Sequence, residues 1–344
     1  MNSLNEILFV SSYPPRECGI ATYTQDLICA IENKFSNSFS LRVCALETKN
    51  ADSEYPEEVK YILRAGDSSE YIRMAEKINR DKKIKLVFIQ HEFGLFEGQY
   101  GENLLYFLYT LNKPIVTAFH TVLPNPDVKR KNVVQAVAVV SENLVVMTSN
   151  SEKILKEEYG IASNKISVIH HGTHLIGCPE RNTIKQRYFL EGKFVLSTFG
   201  LLSSGKCIET ALDALPSIIE KHPNVIYQVI GRTHPEVVKQ EGEKYREFLE
   251  SKVKELGIEK HVKFINRYLS LEDLLEYLQL TDIYLFTSKD PNQAVSGTFS
   301  YAMGCSCPIV STPIPHAKEM LSDNVGIIVD FQNHKQFSEA ATKL

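Results

Sequence analysis

Short runs of β-branched and other apolar residues alternate along this chain with longer segments of helical period, and this alternation constrains the fold most. Runs of the first kind predict strands at 7–12, 41–46, 86–90, 115–119 and 144–148, with helices at 20–33, 69–80, 100–111, 128–140 and 151–159. The pattern then resumes with strands at 194–199, 225–230, 262–265, 283–287, 309–311 and 326–329. Such alternation is typical of parallel sheets covered by helices.

Three helices of the second half are marked by particular residues. At 206–215 one helical face carries Ile208, Ala211, Leu212 and Leu215. At 270–279 the helix opens with Ser270 and Asp273, which resemble a capping box. The last segment, 331–344, predicts a helix at which the sequence stops, so we expect the second domain to continue beyond it.

The length of 344 residues corresponds to about two domains at ~150 residues each. We predict two Rossmann-like, doubly wound α/β domains, 1–175 and 176–344, that face each other across a cleft. Open sheets of this kind bind ligands beyond the carboxyl ends of their strands. Functional residues are therefore expected in the loops that follow strands.

The net charge and the cysteine pattern bear on the class of binding partner and on the cellular compartment. Lys and Arg number 38 against 42 Asp and Glu, so nucleic acid is disfavoured as a partner. Seven scattered cysteines favour a reducing compartment, and no apolar run approaches the ~18 residues of a spanning helix. We expect a cytoplasmic protein. The basic run Lys129, Arg130 and Lys131 leaves peripheral contact with the inner membrane surface open, although a solvated helix face also explains it.

Common nucleotide and metal motifs are missing from the sequence. It contains neither G-x-G-x-x-G nor G-x-x-x-x-G-K-[ST], which disfavours dinucleotide dehydrogenases and P-loop enzymes. It also contains no D-x-D pair, the simplest device for holding a divalent metal on a sugar nucleotide. We expect neither a cofactor nor a metal, and a diphosphate would be neutralised by helix N-termini and cationic side chains.

Loops suited to anions follow two strands of the second half. The first runs from Gly200 to Lys206, and the second, at 292–298, contains Gln293 and Gly297 before a helix near Thr298. Backbone N–H groups at a helix start form an anion site where glycine allows close approach. Each loop alone is also explained as an ordinary capped turn. In the first half, His91 and His120 each end a predicted strand, where a histidine is either structural or part of a site.

The sequence resembles GT-B glycosyltransferases of family 4 over nearly its full length. The resemblance is carried by the Gly19 loop, by His120, and by the segments 168–172, 200–206, 230–231 and 297–308 in that order. It implies a retaining reaction without a metal, with the acceptor bound by the N-terminal domain and a nucleotide sugar bound by the C-terminal domain.

The resemblance also implies roles for single residues. Lys206 and Gly200 would lie at the diphosphate, with Ser296, Gly297 and Thr298 under the phosphates and sugar. Arg267 and Tyr268 fall where the family holds the base. His120 would face the donor sugar as a catalytic residue, and Gly19 and His91 would lie on the acceptor side.

Three positions depart from the family pattern. Leu201 stands where an arginine is usual, and Gln293 and Tyr301 replace two glutamates. This resembles a subgroup that includes suspected mannosyltransferases, so we assign Gln293 to catalysis and Tyr301 to donor binding. The implied function is transfer of a mannose- or glucose-type hexose from a GDP- or UDP-sugar to a saccharide or lipid-linked acceptor. A catalytically silent nucleotide-sugar-binding module and a sugar-nucleotide epimerase are the alternatives.

Overall fold

The computed structural model describes residues 4–36, 38–48, 53–177, 179–322 and 325–344. The backbone divides into two compact units, Met1–His171 and Gly172–Leu344, here called the first and second units. Each is a parallel sheet with helices in its connections. This confirms the predicted fold class of two Rossmann-like α/β domains.

The first unit contains seven strands: β1 (Glu6–Ser11), β2 (Ser40–Thr48), β3 (Val59–Ala65), β4 (Ile84–His91), β5 (Ile115–Phe119), β6 (Asn143–Val146) and β7 (Ile166–Val168). They pair in parallel in the order β3-β2-β1-β4-β5-β6-β7. The connecting helices are α1 (Gly19–Phe35), α2 (Ser68–Arg80), α3 (Leu104–Thr110), α4 (Val128–Val140) and α5 (Ser149–Glu157). Leu8, Phe9 and Val10 of the central β1 are all fully buried, as expected for a strand covered on both faces.

Local backbone chemistry explains where the prediction for this unit was wrong. The helix predicted at 100–111 is split into a short 3₁₀ turn, Gln99–Gly101, and α3. Tyr100 and Gly101 have φ of 63° and 74°, and this left-handed conformation cannot belong to a right-handed helix. Gly19 was predicted in a loop but is the first residue of α1. The strands β3 and β7, at the two edges of the sheet, were not predicted.

The second unit contains the strands β8 (Phe194–Phe199), β9 (Val225–Ile230), β10 (Val262–Ile265), β11 (Ile283–Phe286), β12 (Ile309–Ser311) and β13 (Gly326–Ile328). They pair in parallel in the order β10-β9-β8-β11-β12-β13. Its helices are α6 (Arg181–Arg187), α7 (Ile208–Lys221), α8 (Pro235–Glu241), α9 (Lys244–Glu255), α10 (Leu271–Gln279), α11 (Gly297–Gly304), α12 (Pro315–Met320) and α13 (His334–Lys343).

The helix α7 shows how far a helical face can be predicted. Its predicted apolar face, Ile208, Ala211, Leu212 and Leu215, is at most 1% exposed, which confirms that face. Its bounds were wrong at both ends. Lys206 lies in a 3₁₀ turn before the helix, because Cys207 has a left-handed φ of 48°, and the helix continues beyond Pro216 to Lys221. Among the described residues, no helix is both long and apolar enough to cross a membrane.

Candidate functional site

The strand order of the second unit reverses between β8 and β11. In open α/β sheets, ligands bind at the carboxyl edge of the sheet at such a reversal. The connections after neighbouring strands diverge at such a point and leave room between them. Gly200 and Lys206 follow β8, whereas Gln293 and the start of α11 follow β11. The two loops selected from the sequence therefore leave adjacent strands of one sheet.

Lys206 and Thr298 meet at Gly200. A Cβ placed on Gly200 would lie 2.8 Å from Nζ of Lys206 and 3.3 Å from Cγ2 of Thr298. The φ of Gly200 is +134°, a conformation that side chains rarely adopt. Because Gly200 has no side chain, Lys206 and the start of α11 can both lie against its backbone.

The ammonium of Lys206 has unusual electrostatics. Its side chain is half-buried, and burial lowers the pKa of Lys206 from its ordinary 10.5 to about 8. No carboxylate among the described residues forms an ion pair with it. An anionic ligand would stabilise the charged form of such a partly desolvated ammonium.

Two hydrogen bonds fix the segment after β11 against the Lys206 loop. The hydroxyl of Thr287 donates to the carbonyl oxygen of Lys206 at 2.6 Å. The backbone N–H of Lys289 donates to the carbonyl oxygen of Gly205 at 3.1 Å. The loop that carries the lysine is therefore held from the neighbouring strand.

The N-terminus of α11 is capped by Ser296, whose Oγ accepts from the backbone N–H of Phe299 at 3.4 Å. The backbone N–H of Ser296 donates to Nδ1 of the buried His316 at 3.1 Å, which anchors the cap. Within the described part of the chain, the backbone N–H groups of Gly297 and Thr298 donate to no protein acceptor. These free donors and the helix dipole favour an anion at this position.

Gln293 and Tyr301, for which the family resemblance implies glutamates, differ in their surroundings. Gln293 is half-buried, and its Nε2 donates a long hydrogen bond of 3.4 Å to the carbonyl oxygen of Val295. Tyr301 is 7% exposed, and its ring centroid lies 5.4 Å from that of His174. Gln293 is therefore the more accessible of the two. Contact of either side chain with a donor stays a prediction.

The residues predicted to hold the base lie after β10, two strands from β8. Tyr268 is 46% exposed. The side chain of Arg267 is 56% exposed and lies 3.9 Å from a carboxylate oxygen of Asp273. Both side chains are available to a ligand, and their role stays a prediction.

In the first unit, the two predicted histidines end adjacent strands. The backbone N–H of His120 donates to the carbonyl oxygen of His91 at 3.0 Å. His91 is fully buried against the rings of Phe93, Phe96 and Phe119, and burial lowers the pKa of His91 to about 3. The ring of His91 therefore lies inside the unit, behind its surface.

His120 is half-buried and makes a direct side-chain contact with Gln90 of β4. Its Nε2 lies 2.8 Å from Oε1 of Gln90, and the ring of Tyr23 meets its ring edge-on with centroids 4.9 Å apart. Burial, together with the neighbouring His171 and His91, lowers the pKa of His120 to about 3. The imidazole is therefore neutral at physiological pH.

Gly19, the other predicted acceptor-side residue, lies at the N-terminus of α1. A Cβ on Gly19 would find no atom within 4 Å. The N-cap is Cys18, whose Sγ accepts from the backbone N–H of Ala21 at 3.4 Å and lies 3.0 Å from Oγ of Ser12. The space beside Gly19 at the N-terminus of α1 is therefore free of other described atoms.

Sequence reasoning missed two polar residues next to these histidines. Gln90 is fully buried at the end of the otherwise apolar run 86–89, and that break in the run was the available signal. Glu92 accepts from the hydroxyl of Thr121 at 2.6 Å, and burial raises the pKa of Glu92. The described residues contain no group of three or more His, Cys, Asp or Glu side chains placed to hold a metal ion.

Comparison with known families gives a match within the second unit. Residues 180–344 match the family model described as glycosyl transferases group 1. This part of the chain is similar to that family. All the residues that we predict to bind the donor in the second half of the chain fall in the matched range. The spore coat protein SA of Bacillus subtilis strain 168 is 27% identical over 168 residues, which cover 48% of this chain and 42% of that protein.

Solved structures resemble both units of the chain. HepE of Anabaena in complex with UDP has a TM-score of 0.75 at 16% identity, over 98% of this chain and 89% of that one. HepE was also solved in complex with UDP-glucose, with a TM-score of 0.72. The sucrose-phosphate synthase of Thermosynechococcus elongatus has a TM-score of 0.76 at 14% identity, again over 98% and 89% of the two chains. At these identities the likeness concerns the GT-B fold.

Proposed function

We propose that this chain is a retaining, metal-independent glycosyltransferase. It moves a hexose of mannose or glucose type from a nucleotide sugar to a saccharide or lipid-linked acceptor. The observation that carries the proposal is the position of Lys206, which lies without an ion-pair partner in the described residues beside Gly200 and the start of α11. A nucleoside diphosphate leaving group requires such a cation, because negative charge develops on it as it departs.

The reaction develops negative charge on the diphosphate as the glycosidic bond breaks. The ammonium of Lys206 and the free N–H groups of Gly297 and Thr298 are fixed in position before the charge appears. Donors and cations that are already oriented stabilise such charge without reorganisation. They supply the neutralisation for which other enzymes use a divalent cation.

The remaining predicted residues take roles consistent with their surroundings. Arg267 and Tyr268, both exposed, contact the base of the donor. The neutral ring of His120 contacts the donor sugar, and the open start of α1 at Gly19 contacts the acceptor. His91 is fully buried, so its role is to pack inside the first unit at the end of β4.

The choice of donor is supported by fold neighbours and by two substitutions. HepE of Anabaena was solved with UDP and with UDP-glucose, which favours a UDP-hexose. Gln293 and Tyr301 resemble the mannosyltransferase-like subgroup of family 4, which favours GDP-mannose. Both donors carry the diphosphate for which Lys206 is placed, so both belong in the test.

The decisive experiment measures nucleotide release. We expect the purified chain to release UDP or GDP from one of UDP-glucose, UDP-galactose and GDP-mannose when saccharide and lipid-linked acceptors are present, with EDTA in the buffer. Lys206→Ala should lower this rate by about 10²–10³-fold. The matched control is Lys289→Ala, since Lys289 is an exposed lysine after β11.

The other outcomes point to the alternatives. Donor binding without release for every acceptor would indicate a silent binding module, and an isomerised sugar without acceptor would indicate an epimerase. NMR of the product decides the stereochemistry, because a retaining enzyme keeps the anomeric configuration of the donor. An activity that EDTA abolishes would contradict the metal-independent reaction.

We also propose a cytoplasmic location with peripheral contact at the inner membrane surface. Val128, at the start of α4, is 77% exposed beside three basic residues. Lys129 pairs with Glu102 at 2.8 Å, and Arg130 lies 3.9 Å from its neighbour Asp127, so the available positive charge is small. Weak, salt-sensitive binding to anionic vesicles is expected, and charge reversal of the three basic residues should remove it. Binding that survives this reversal would place the anchor elsewhere.

A further inference from the structure

We propose that Gln90 is a positioning residue that holds His120 in the tautomer protonated at Nε2. The unprotonated Nδ1 of His120 then accepts a hydrogen bond from a hydroxyl group of a bound sugar. The tautomer follows from the geometry of the first unit alone. Its effect on sugar transfer rests on the proposed function.

The geometry leaves Gln90 little freedom. Gln90 is a residue of β4 with a fully buried side chain, and its Oε1 lies 2.8 Å from Nε2 of His120. The backbones at these positions are also tied, because His120 N–H donates to the carbonyl oxygen of His91, the residue after Gln90. The amide and the imidazole are thus held next to each other by adjacent strands. In the described residues, Nε2 of Gln90 is buried without a hydrogen-bond partner, so the contact of Oε1 with His120 is the one hydrogen bond of this amide.

The tautomer follows from hydrogen-bonding capacity. An amide oxygen only accepts, so the ring nitrogen that faces it must carry a proton. A neutral imidazole carries one N–H, so a proton at Nε2 leaves a lone pair at Nδ1. Gln90 therefore decides which nitrogen of His120 donates and which accepts.

The surroundings of His120 keep its ring neutral. The titratable groups that face it are Tyr23, His91 and His171, none of which is a carboxylate that would favour the charged imidazole. Burial raises the pKa of Tyr23 to about 12, so this phenol stays protonated. Burial and the two histidines lower the pKa of His120 itself. No proton is gained that would occupy Nδ1.

A free Nδ1 selects one kind of ligand group. In the described part of the chain, Nδ1 of His120 makes no hydrogen bond, and the side chain is partly exposed. A lone pair accepts from a hydroxyl but repels a phosphate oxygen, which itself needs donors. Nδ1 thus suits a sugar hydroxyl and not a phosphate oxygen.

The first test reads the tautomer by long-range ¹H–¹⁵N NMR of the full chain labelled with ¹⁵N-histidine. The His120 signal is assigned by its loss in His120→Gln. We expect a protonated-type shift for Nε2 and an unprotonated-type shift for Nδ1 at pH 7. A proton on Nδ1 would overturn the proposal, because the amide of Gln90 would then be donating to Nε2.

Two substitutions separate positioning from packing. Gln90→Leu keeps the volume but removes the acceptor, so we expect a mixture of His120 tautomers and a fall in kcat of about three- to tenfold with KM for the acceptor little changed. Gln90→Glu keeps an acceptor, so the Nε2–H tautomer should return and the pKa of His120 should rise. The rise would appear as a loss of activity at low pH that wild type lacks.

The matched control is Gln228→Leu, because Gln228 is also a buried strand glutamine and lies in β9 of the second unit. It should leave the His120 spectrum and the rate unchanged. Intact tautomer shifts in a chain that transfers no sugar would contradict the proposed function but not the role of Gln90. An unaltered His120 spectrum in Gln90→Leu would contradict the role of Gln90 alone.

Discussion

Gly231 and Gly200 approach each other through their backbones at the ends of the adjacent strands β9 and β8. A Cβ on Gly231 would lie 2.3 Å from the carbonyl oxygen of Gly200, and the φ of Gly231 is +125°. Nη2 of the buried Arg246 also donates to the carbonyl oxygen of Gly231 at 2.8 Å. The backbone at Gly231 is therefore held against Gly200 and leaves no room for a side chain at position 231.

Gly231→Ala should destabilise the second unit by at least about 2 kcal/mol, because it adds a backbone clash to an unfavourable φ. Urea unfolding followed by circular dichroism measures the change. Gly257→Ala is the matched control, since Gly257 has a φ of +66° with no atom within 4 Å of its Cβ position. Equal losses in the two variants would show that the contact with Gly200 contributes nothing.

A buried ion pair provides a second stability test. Nζ of Lys185, on α6, lies 2.5 Å from Oδ2 of Asp282 and also donates to the carbonyl oxygen of Lys193 at 2.8 Å. Oδ2 of Asp282 also accepts from the backbone N–H of Val195 at 2.7 Å. Lys185 is only 6% exposed, so Lys185→Ala leaves a poorly solvated carboxylate.

We expect Lys185→Ala to lower the free energy of unfolding by about 3 kcal/mol, as for other buried pairs that lose one partner. The control is Lys239→Ala, which breaks the exposed pair with Glu236 at 2.8 Å. That loss should stay below about 1 kcal/mol in the same urea titration. A small loss for Lys185→Ala would mean that Arg181, whose Nη1 lies 3.4 Å from Asp282, is a sufficient partner.

The elements of the central sheets could be predicted because their pattern is local. The bounds predicted for β8, β9, β10 and β12 agree with the structure, and these runs are bordered by turns and rich in β-branched residues. The edge strands β3 and β7 were missed because fewer of their residues are buried, which weakens the hydrophobic signal. Helices α8 and α9 were also missed, and the mostly polar sequence of α9 shows only a weak apolar period.

The positions of the candidate residues at strand ends were predictable, whereas their contacts were not; their roles stay a prediction. Strand ends and glycines located the loops of Lys206 and His120. The contact of Gln90 with His120 joins residues 30 positions apart on adjacent strands, so it depends on strand register. The left-handed Cys207 places Lys206 in a turn, and no periodic pattern encodes that single dihedral angle.

The pKa of Lys206 gives the predicted ligand affinity a pH dependence. In the proposed function the charged form of Lys206 binds the diphosphate, and burial lowers the pKa of the free side chain to about 8. The affinity for UDP or GDP should therefore fall by about tenfold between pH 7 and pH 9, as calorimetry would show. Lys206→Arg should flatten this dependence, because an arginine stays charged throughout. An equally steep fall in Lys206→Arg would assign the dependence to another group.

The same pKa shift affects stability with the opposite sign. Without ligand, the folded chain holds Lys206 at a pKa of about 8 and the unfolded chain near 10.5, so the unfolded chain binds more protons between these values. The contribution of Lys206 to the free energy of unfolding should thus rise with pH from 8 to 10.5. Lys206→Met removes this contribution. Urea titrations at pH 8 and pH 10 of both chains, without nucleotide, measure the difference.

Gln293 tests whether an uncharged side chain serves at a position where the family resemblance implies a glutamate. Its amide keeps one acceptor and adds two donors, and its present hydrogen bond to the carbonyl oxygen of Val295 is long at 3.4 Å. A sugar hydroxyl would replace that weak bond at small cost. Gln293→Ala should lower kcat/KM by about 1–3 kcal/mol in transition-state stabilisation, because sugar hydroxyls lose a partner. Gln293→Glu keeps the acceptor and should retain part of the activity.

Asn292→Ala, at the exposed neighbouring position, is the control for loop damage and should match wild type. Donor affinity by calorimetry and nucleotide release by kinetics are measured on all four chains. If Gln293→Ala transfers sugar at the wild-type rate with unchanged donor affinity, the 292–298 loop does not contact the donor sugar.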